Sequence, residues 1–272
     1  MARPLGPASD IYTLGHHDAV LRSHRWRTAE NSAGYLLAHL CPGMSLLDVG
    51  CGPGTLTADL ARLVAPGRVL AIDTSAAVVA EAEAHAREAG VGNLGFQVGD
   101  FRAGLDEGAF DVVHAHQVLQ HLSDPVGALA EMGRLARPGG IVAARDSDYS
   151  AMVWAPENPR LERWREVYRA VTRRNRAEAD AGRLLLHWAR LAGFDDVVYT
   201  SSTWTFATPQ ERSWWSELWA ERTTASLFAR QAVDYGIAAQ TELEEIAAGW
   251  RAWGQEPAGV FIVVCGEIVA RR

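Results

Sequence analysis

Leu47-Asp48-Val49-Gly50-Cys51-Gly52-Pro53-Gly54-Thr55 is the stretch on which the fold turns. The apolar run Leu46–Val49 reads as a buried strand, and the Ala- and Leu-rich residues at about 54–64 read as a helix. Glycines between them let the chain turn sharply and bring its backbone close to a ligand without Cβ interference. The helix directs free N–H groups and its positive end at that ligand. Outward from this loop the pattern repeats. Short apolar runs at Val69–Ile72, Leu94–Val98, Phe110–Ala115 and Ile141–Ala144 alternate with helical stretches at about 75–89 and 124–136. This rhythm predicts βαβ units and a doubly wound, mostly parallel sheet with helices on both faces, the α/β class.

The spacing of the glycines narrows the ligand. A dinucleotide loop reads GxGxxG and cradles a pyrophosphate. Here the spacing is GxGxG, and Thr55 stands where the third glycine of that motif belongs. Asp48, two residues before the first glycine, suits a ligand with an ammonium group better than a pyrophosphate. Asp73 ends the second strand, where a carboxylate can accept both hydroxyls of a ribose. Asp100 ends the third strand, where it can accept from an exocyclic amine such as adenine N6, with Phe101 beside the ring. All three acids fall at carboxyl ends of consecutive strands, the edge at which open α/β sheets bind ligands.

These residues resemble class I S-adenosylmethionine (SAM)-dependent methyltransferases, nearest the UbiE/Coq5-like small-molecule branch. Asp48 through Gly54 match that family's first motif, Asp73 its ribose acid and Asp100 its adenine-side acid. Phe110 to Leu122 resembles its fourth-strand segment, and Arg134-Leu135-Ala136-Arg137-Pro138-Gly139-Gly140 resembles the turn before its fifth strand. The resemblance implies a Rossmann-like, seven-stranded sheet with an antiparallel last strand, SAM as cofactor and methyl transfer as the activity. It implies a cofactor-binding set of Asp48, Gly50, Cys51, Gly52, Gly54, Asp73, Thr74, Asp100, Phe101, His116 and Gln117. Two departures bear on the acceptor. Quinone methylases of this branch begin Tyr-Asp-x-Met-Asn, whereas this chain reads Tyr12-Thr13-Leu14-Gly15-His16-His17. The Asn/Asp-Pro-Pro-Tyr motif of enzymes that methylate nucleic-acid amines is absent after the fourth strand.

Methyl transfer from a sulfonium is an in-line displacement that the protein serves chiefly by alignment. A base helps when the acceptor is a phenol, an alcohol or an acidic carbon, and histidine suits that task at neutral pH. His116, at the end of the fourth strand, is the first candidate, set against a purely cofactor-contacting or structural role. His121, in the next turn, reads as a packing or capping residue. Asp146 and Tyr149 follow the fifth strand at the ligand-facing edge, although Arg145-Asp146 equally reads as a structural ion pair. His17, with His16, lies on an N-terminal segment able to close over the site. Trp204, Trp214, Trp215, Trp219, Trp250 and Trp253 read as core packing of helices or as flat walls for an aromatic or apolar acceptor.

Composition sets the remaining bounds. The 272 residues carry a net charge of −7, with 48% apolar and 22% charged residues, as in a globular protein able to bury a sizeable core. The acidic balance, without a basic stripe, argues against nucleic acid as partner. No stretch is apolar and long enough for a membrane span or a signal peptide, so a cytoplasmic location is expected. The three cysteines are far apart and form no CxxC, so neither metal nor disulfides are expected. Residues 1–44 read as an N-terminal helical cap, with Thr28 or Asn31 capping a helix to about Leu40. Residues 45–149 read as the cofactor-binding core, and 150–272 as the rest of the sheet with helical lid insertions at about 150–181 and 204–255. In that last part, Asp196–Ser201 and Val260–Ile268 are candidate strands. The expected partner is a small-molecule acceptor, and a homodimer is compatible with the fold. Three other readings stay open: a SAM-binding enzyme of this fold catalysing a non-methylating reaction such as a cyclisation, a non-catalytic SAM-binding subunit, and an NAD(P)-dependent oxidoreductase.

Overall fold

Each apolar run of the first half becomes a strand. β1 (Leu46–Val49), β2 (Val69–Asp73), β3 (Leu94–Val98), β4 (Phe110–His116) and β5 (Ala136–Ser147) lie side by side in the order β3-β2-β1-β4-β5, all parallel. The computed structural model describes residues 10–272, and the polar start of the chain, residues 1–9, falls outside them. Later strands run antiparallel. β8 (Val260–Arg271) pairs with β5 on one side and with β7 (Asp196–Phe206) on the other. The sheet has eight strands, not the expected seven. Pairing with β5 ends at Ser147↔Cys265, which leaves the first residues of β8 with a free edge. The short β6 (Val153–Ala155) fills it opposite Val260–Ile262. Three residues are too few to show alternation, so nothing in the sequence marks β6.

The parallel strands send alternate side chains to opposite faces. Leu46, Val69 and Val112 pack under α2 (Ala29–Leu37) and α3 (Thr55–Val64). Leu47, Val113 and Val142 pack under α5 (Pro125–Leu135) and α7 (Leu185–Leu191). Between β2 and β3 runs α4 (Ala76–Glu88). Thr28 caps α2, and Asn31 completes a capping box by returning a side-chain bond to the Thr28 N–H. Ahead of it lies a separate helix that the sequence reading did not resolve, α1 (Asp18–Arg25).

A third core forms beyond the sheet's end. α6 (Pro159–Arg174), α8 (Pro209–Ala225), α9 (Leu227–Asp234) and α10 (Gln240–Gly254) pack with α1 around a tryptophan cluster. Trp164 lies with its ring centroid 4.5 Å from that of Trp219 and 4.9 Å from that of Trp250. The packing reading therefore holds for most of these residues. Phe261, Val263 and Cys265 of β8 belong to the same cluster, so this helical layer is continuous with the sheet.

Candidate active site

The carboxyl ends of β1 to β4 open on a cavity of about 350 Å³. The glycine loop forms its floor. Gly50 has φ 68°, and a Cβ there would fall 2.5 Å from Val118 Cγ2, so the loop touches the segment after β4 too closely for any side chain. Gly50, Cys51 and Gly52 line the cavity. Gly54 does not. It precedes α3, and its missing Cβ lets Ala82 of α4 approach to 2.8 Å of where that atom would stand.

Asp73 and Thr74 line the cavity from the end of β2. The Asp73 carboxylate accepts the Gly52 N–H at 3.2 Å and the Ser75 N–H at 3.0 Å. Asp100 and Phe101 line it from the end of β3. Asp100 pairs with Arg102 at 2.6 Å, and this partner holds its carboxyl below the usual range. Arg102 also reaches Asp10 at 2.8 Å, and Asp10 accepts the Ser123 N–H and hydroxyl, each at 2.7 Å. The start of the described chain is thus fastened beside the cavity.

Asp48 faces the same cavity, but both its oxygens are taken inside the protein. One meets His114 Nδ1 at 2.7 Å, and the other accepts the Thr57 hydroxyl at 2.5 Å. Asp48 and His114 are direct partners in the β1–β4 register, so the carboxylate locks β1, β4 and α3 together. His116, two residues on, lines the cavity, with its ring centroid 5.8 Å from that of Trp204. Neither ring nitrogen has a partner among the described residues. Burial first, then Arg27 and Arg145, hold its pKa well below 6.5. At pH 7 the ring is neutral and a weak base. Gln117, at φ 55°, accepts from Arg27 Nη2 at 2.7 Å and donates to the Ser147 hydroxyl at 2.6 Å.

A second cavity of about 30 Å³, room for about one water, lies against the first. Tyr12, His24, Arg27, Gln117 and His121 line both. The Tyr12 hydroxyl sits 3.2 Å from His24 Nε2. Burial is the main cause that holds His24 well below 6.5 and brings His121 down to about 3. Trp204, Trp215, Trp219 and Tyr149 form aromatic walls of the small cavity alone, and Arg222 reaches in from α8. Of the second expected lid insertion, α9 and α10 contribute no lining residue.

Several expected residues lie outside the large cavity. Asp146 lines neither cavity; it is fully buried, accepts the Gln120 N–H at 3.2 Å, and burial pushes its pKa up to about 8. Arg145 pairs with Glu267 at 3.1 Å and not with Asp146. Tyr149 is stacked on Tyr168 at 4.1 Å, and burial pushes its phenol up, so it stays protonated. His17 caps α1, accepting the Ala19 N–H at 3.2 Å, while its neighbour His16 lines the large cavity. Tyr12, His24, Arg27 and Arg222 were not singled out from the sequence. A partial signal was available: Val20 and His24 recur at helical spacing, which puts the histidine on the inward face of α1, whereas Arg27 lies beyond the end of that helix. Among the described residues no group of three His, Cys, Asp or Glu side chains is placed to hold a metal ion, and no helix is long and apolar enough to cross a membrane.

Residues 40–202 match the family model described as a methyltransferase domain. An uncharacterized methyltransferase of Schizosaccharomyces pombe is 30% identical over 277 aligned residues, covering 98% of each chain. Among solved structures, Haemonchus contortus phosphoethanolamine N-methyltransferase 2, in complex with phosphomonomethylethanolamine and S-adenosylhomocysteine, superposes with a TM-score of 0.58. The identity is 16%, over 94% of this chain and 58% of that one. The cyclase SpnF superposes with a TM-score of 0.51 and 21% identity, over 97% of this chain and 85% of that one. At such identities the likeness is one of fold.

Proposed function

The chain belongs to the class I SAM-dependent methyltransferases, and from that premise we propose that it methylates a small-molecule acceptor held in the small aromatic-walled cavity. The observation that carries this reading is the junction of five residues shared by the two cavities. SAM, when bound, supplies an electrophilic methyl group on a sulfonium.

The residues of the large cavity fit that cofactor. Asp73, its carboxylate facing the cavity, would take the ribose hydroxyls, and Asp100 with Phe101 the adenine. The loop backbone at Cys51 and Gly52 would lie under the ligand. At Gly52 an added Cβ would meet only His24 Nδ1, at 3.7 Å, so the cradle is open where the glycine leaves it so.

The chain's own contribution is to position and enclose. Gln117 is held from both sides by Arg27 and Ser147, which fixes the wall between the cavities. Tyr12 and His24 form a hydrogen-bonded pair at the junction that can orient an acceptor hydroxyl or amine. Burial keeps His24, His116 and His121 neutral. None is tuned to take a proton near pH 7, which favours an acceptor that is already nucleophilic. The tryptophan walls suit a flat acceptor. Arg27 and Arg222 stand beside these walls.

Methyl-labelled SAM and a metabolite panel, read by mass spectrometry, test the reaction. A product heavier by one labelled methyl group supports transfer, and conversion without mass gain supports a cyclisation instead. Asp73→Ala tests the cofactor placement. Loss of a charged acceptor should weaken SAM and S-adenosylhomocysteine by about ten- to a hundred-fold in calorimetry. Unchanged affinity would remove Asp73 from the site.

A further inference from the structure

We infer that the acceptor carries a carboxylate, which Arg222 and Arg27 hold in the small cavity; this rests on reading that cavity as the acceptor site. Arg222 is only 3% exposed, yet its bonds go to neutral oxygens. Its Nε and Nη2 donate to the Ala19 carbonyl at 3.1 and 2.9 Å, and Nη2 also reaches the Ser23 hydroxyl. The guanidinium lies 4.9 Å over the Trp219 ring. Arg27 donates to the Gln117 amide oxygen. Among the described residues no carboxylate lies within 4.0 Å of either guanidinium, and residues 1–9 contain no Asp or Glu.

The contrast with Arg145 is informative. It is as deeply buried, and the chain gives it a carboxylate, Glu267. A buried charge without a partner is costly, so proteins seldom leave one where nothing uses it. Nothing else facing the small cavity is anionic. Its histidines are neutral, and burial keeps the phenols of Tyr12 and Tyr149 protonated. The cavity therefore holds two cations and several hydrogen-bond donors, and a ligand that brings one negative charge removes the imbalance. Planar guanidinium groups match the two oxygens of a carboxylate. Arg27 lines both cavities, but Arg222 lines only the small one, so discrimination falls to Arg222.

The experiment uses the full chain saturated with S-adenosylhomocysteine and titrated with benzoate, benzamide or inorganic phosphate. Tryptophan fluorescence reports through Trp215 and Trp219, with calorimetry beside it. Benzoate should bind at least about ten-fold more tightly than benzamide, and phosphate should not displace it. Arg222→Leu should bring benzoate to the level of benzamide, while Arg222→Lys keeps part of the preference, each variant being titrated at S-adenosylhomocysteine saturation fixed by its own measured affinity. Equal binding of acid and amide, or displacement by phosphate, overturns the inference but leaves the acceptor cavity standing. Binding of neither aromatic probe, with S-adenosylhomocysteine still bound, overturns the cavity assignment and the inference with it. Should Arg222→Leu fail to fold, the acid-to-amide ratio of the unaltered chain decides alone.

Discussion

Asp146→Asn separates a buried neutral carboxyl from an active base. Asp146 is fully buried, and burial raises its pKa from 3.8 to about 8 against the opposing hydrogen bond from the Gln120 N–H. In the unfolded chain the group ionises above about pH 4. In the folded chain it keeps its proton to about pH 8, so unfolding releases one proton across that window. Stability from this group is therefore full below pH 4 and falls by about 1.4 kcal/mol per pH unit as pH rises to about 8. It levels off above that, with an upper bound of about 6 kcal/mol over the whole window. Asparagine has the shape of the protonated acid and keeps the oxygen that accepts from Gln120, so it removes the slope. Urea unfolding of both proteins between pH 5 and 9, without ligand, gives the comparison. The variant should gain about 2–3 kcal/mol on the natural chain between pH 6 and 8. SAM affinity should be unchanged and turnover changed only a few-fold, because the side chain reaches neither cavity. Parallel stability curves would show that the carboxyl is ionised in the folded protein and would refute the reasoning.

Turnover at saturating acceptor should be flat from about pH 6 to 8, because His24, His116 and His121 titrate below that range; a limb near 6.5 in the pH profile would contradict their burial. Gly50→Ala combines a φ of 68° with a clash on Val118, so a stability loss of about 1–3 kcal/mol and loss of SAM binding are expected by thermal melting and calorimetry. Normal affinity there would detach the loop from the cofactor. Trp219→Ala should cost about 3–5 kcal/mol in denaturant unfolding, since the ring is packed against Trp164, Trp250 and Tyr168. A loss below about 1 kcal/mol would mean that the helical layer is not held by this cluster.

Legibility in the sequence followed distance along the chain. The glycine loop and the acids Asp73 and Asp100 announce themselves by local spacing, and each faces the large cavity. Asp48 was as visible, but its partner His114 lies on another strand, so its internal bonds were not. His17 and His16 are adjacent and chemically alike; the start of α1 gives one a capping bond and leaves the other facing the cavity. Asp146 ends a strand at the ligand-facing edge, and only the packing behind Gln120 shows that it points away. The small cavity was the least legible part. It is assembled from residues near positions 12–27, the end of β5, Trp204 and α8, which no periodicity links.

One helix, α1, contributes walls to both cavities, through Leu21 and His24 to the large one and Ser23 and His24 to the small one. It is held to α8 by Arg222, to α4 by the 2.6 Å Arg25–Glu81 pair, and to α3 by the Thr55 hydroxyl on the His24 carbonyl at 3.2 Å. An acceptor larger than a water cannot enter a space of about 30 Å³ unless these walls part. Loading and discharge thus call on the same helix, which walls both cavities. A release step slower than methyl transfer would show as a burst of one methylated product per chain before the steady state, and as a steady rate that slows with solvent viscosity; a linear onset would assign the slow step to the bond change.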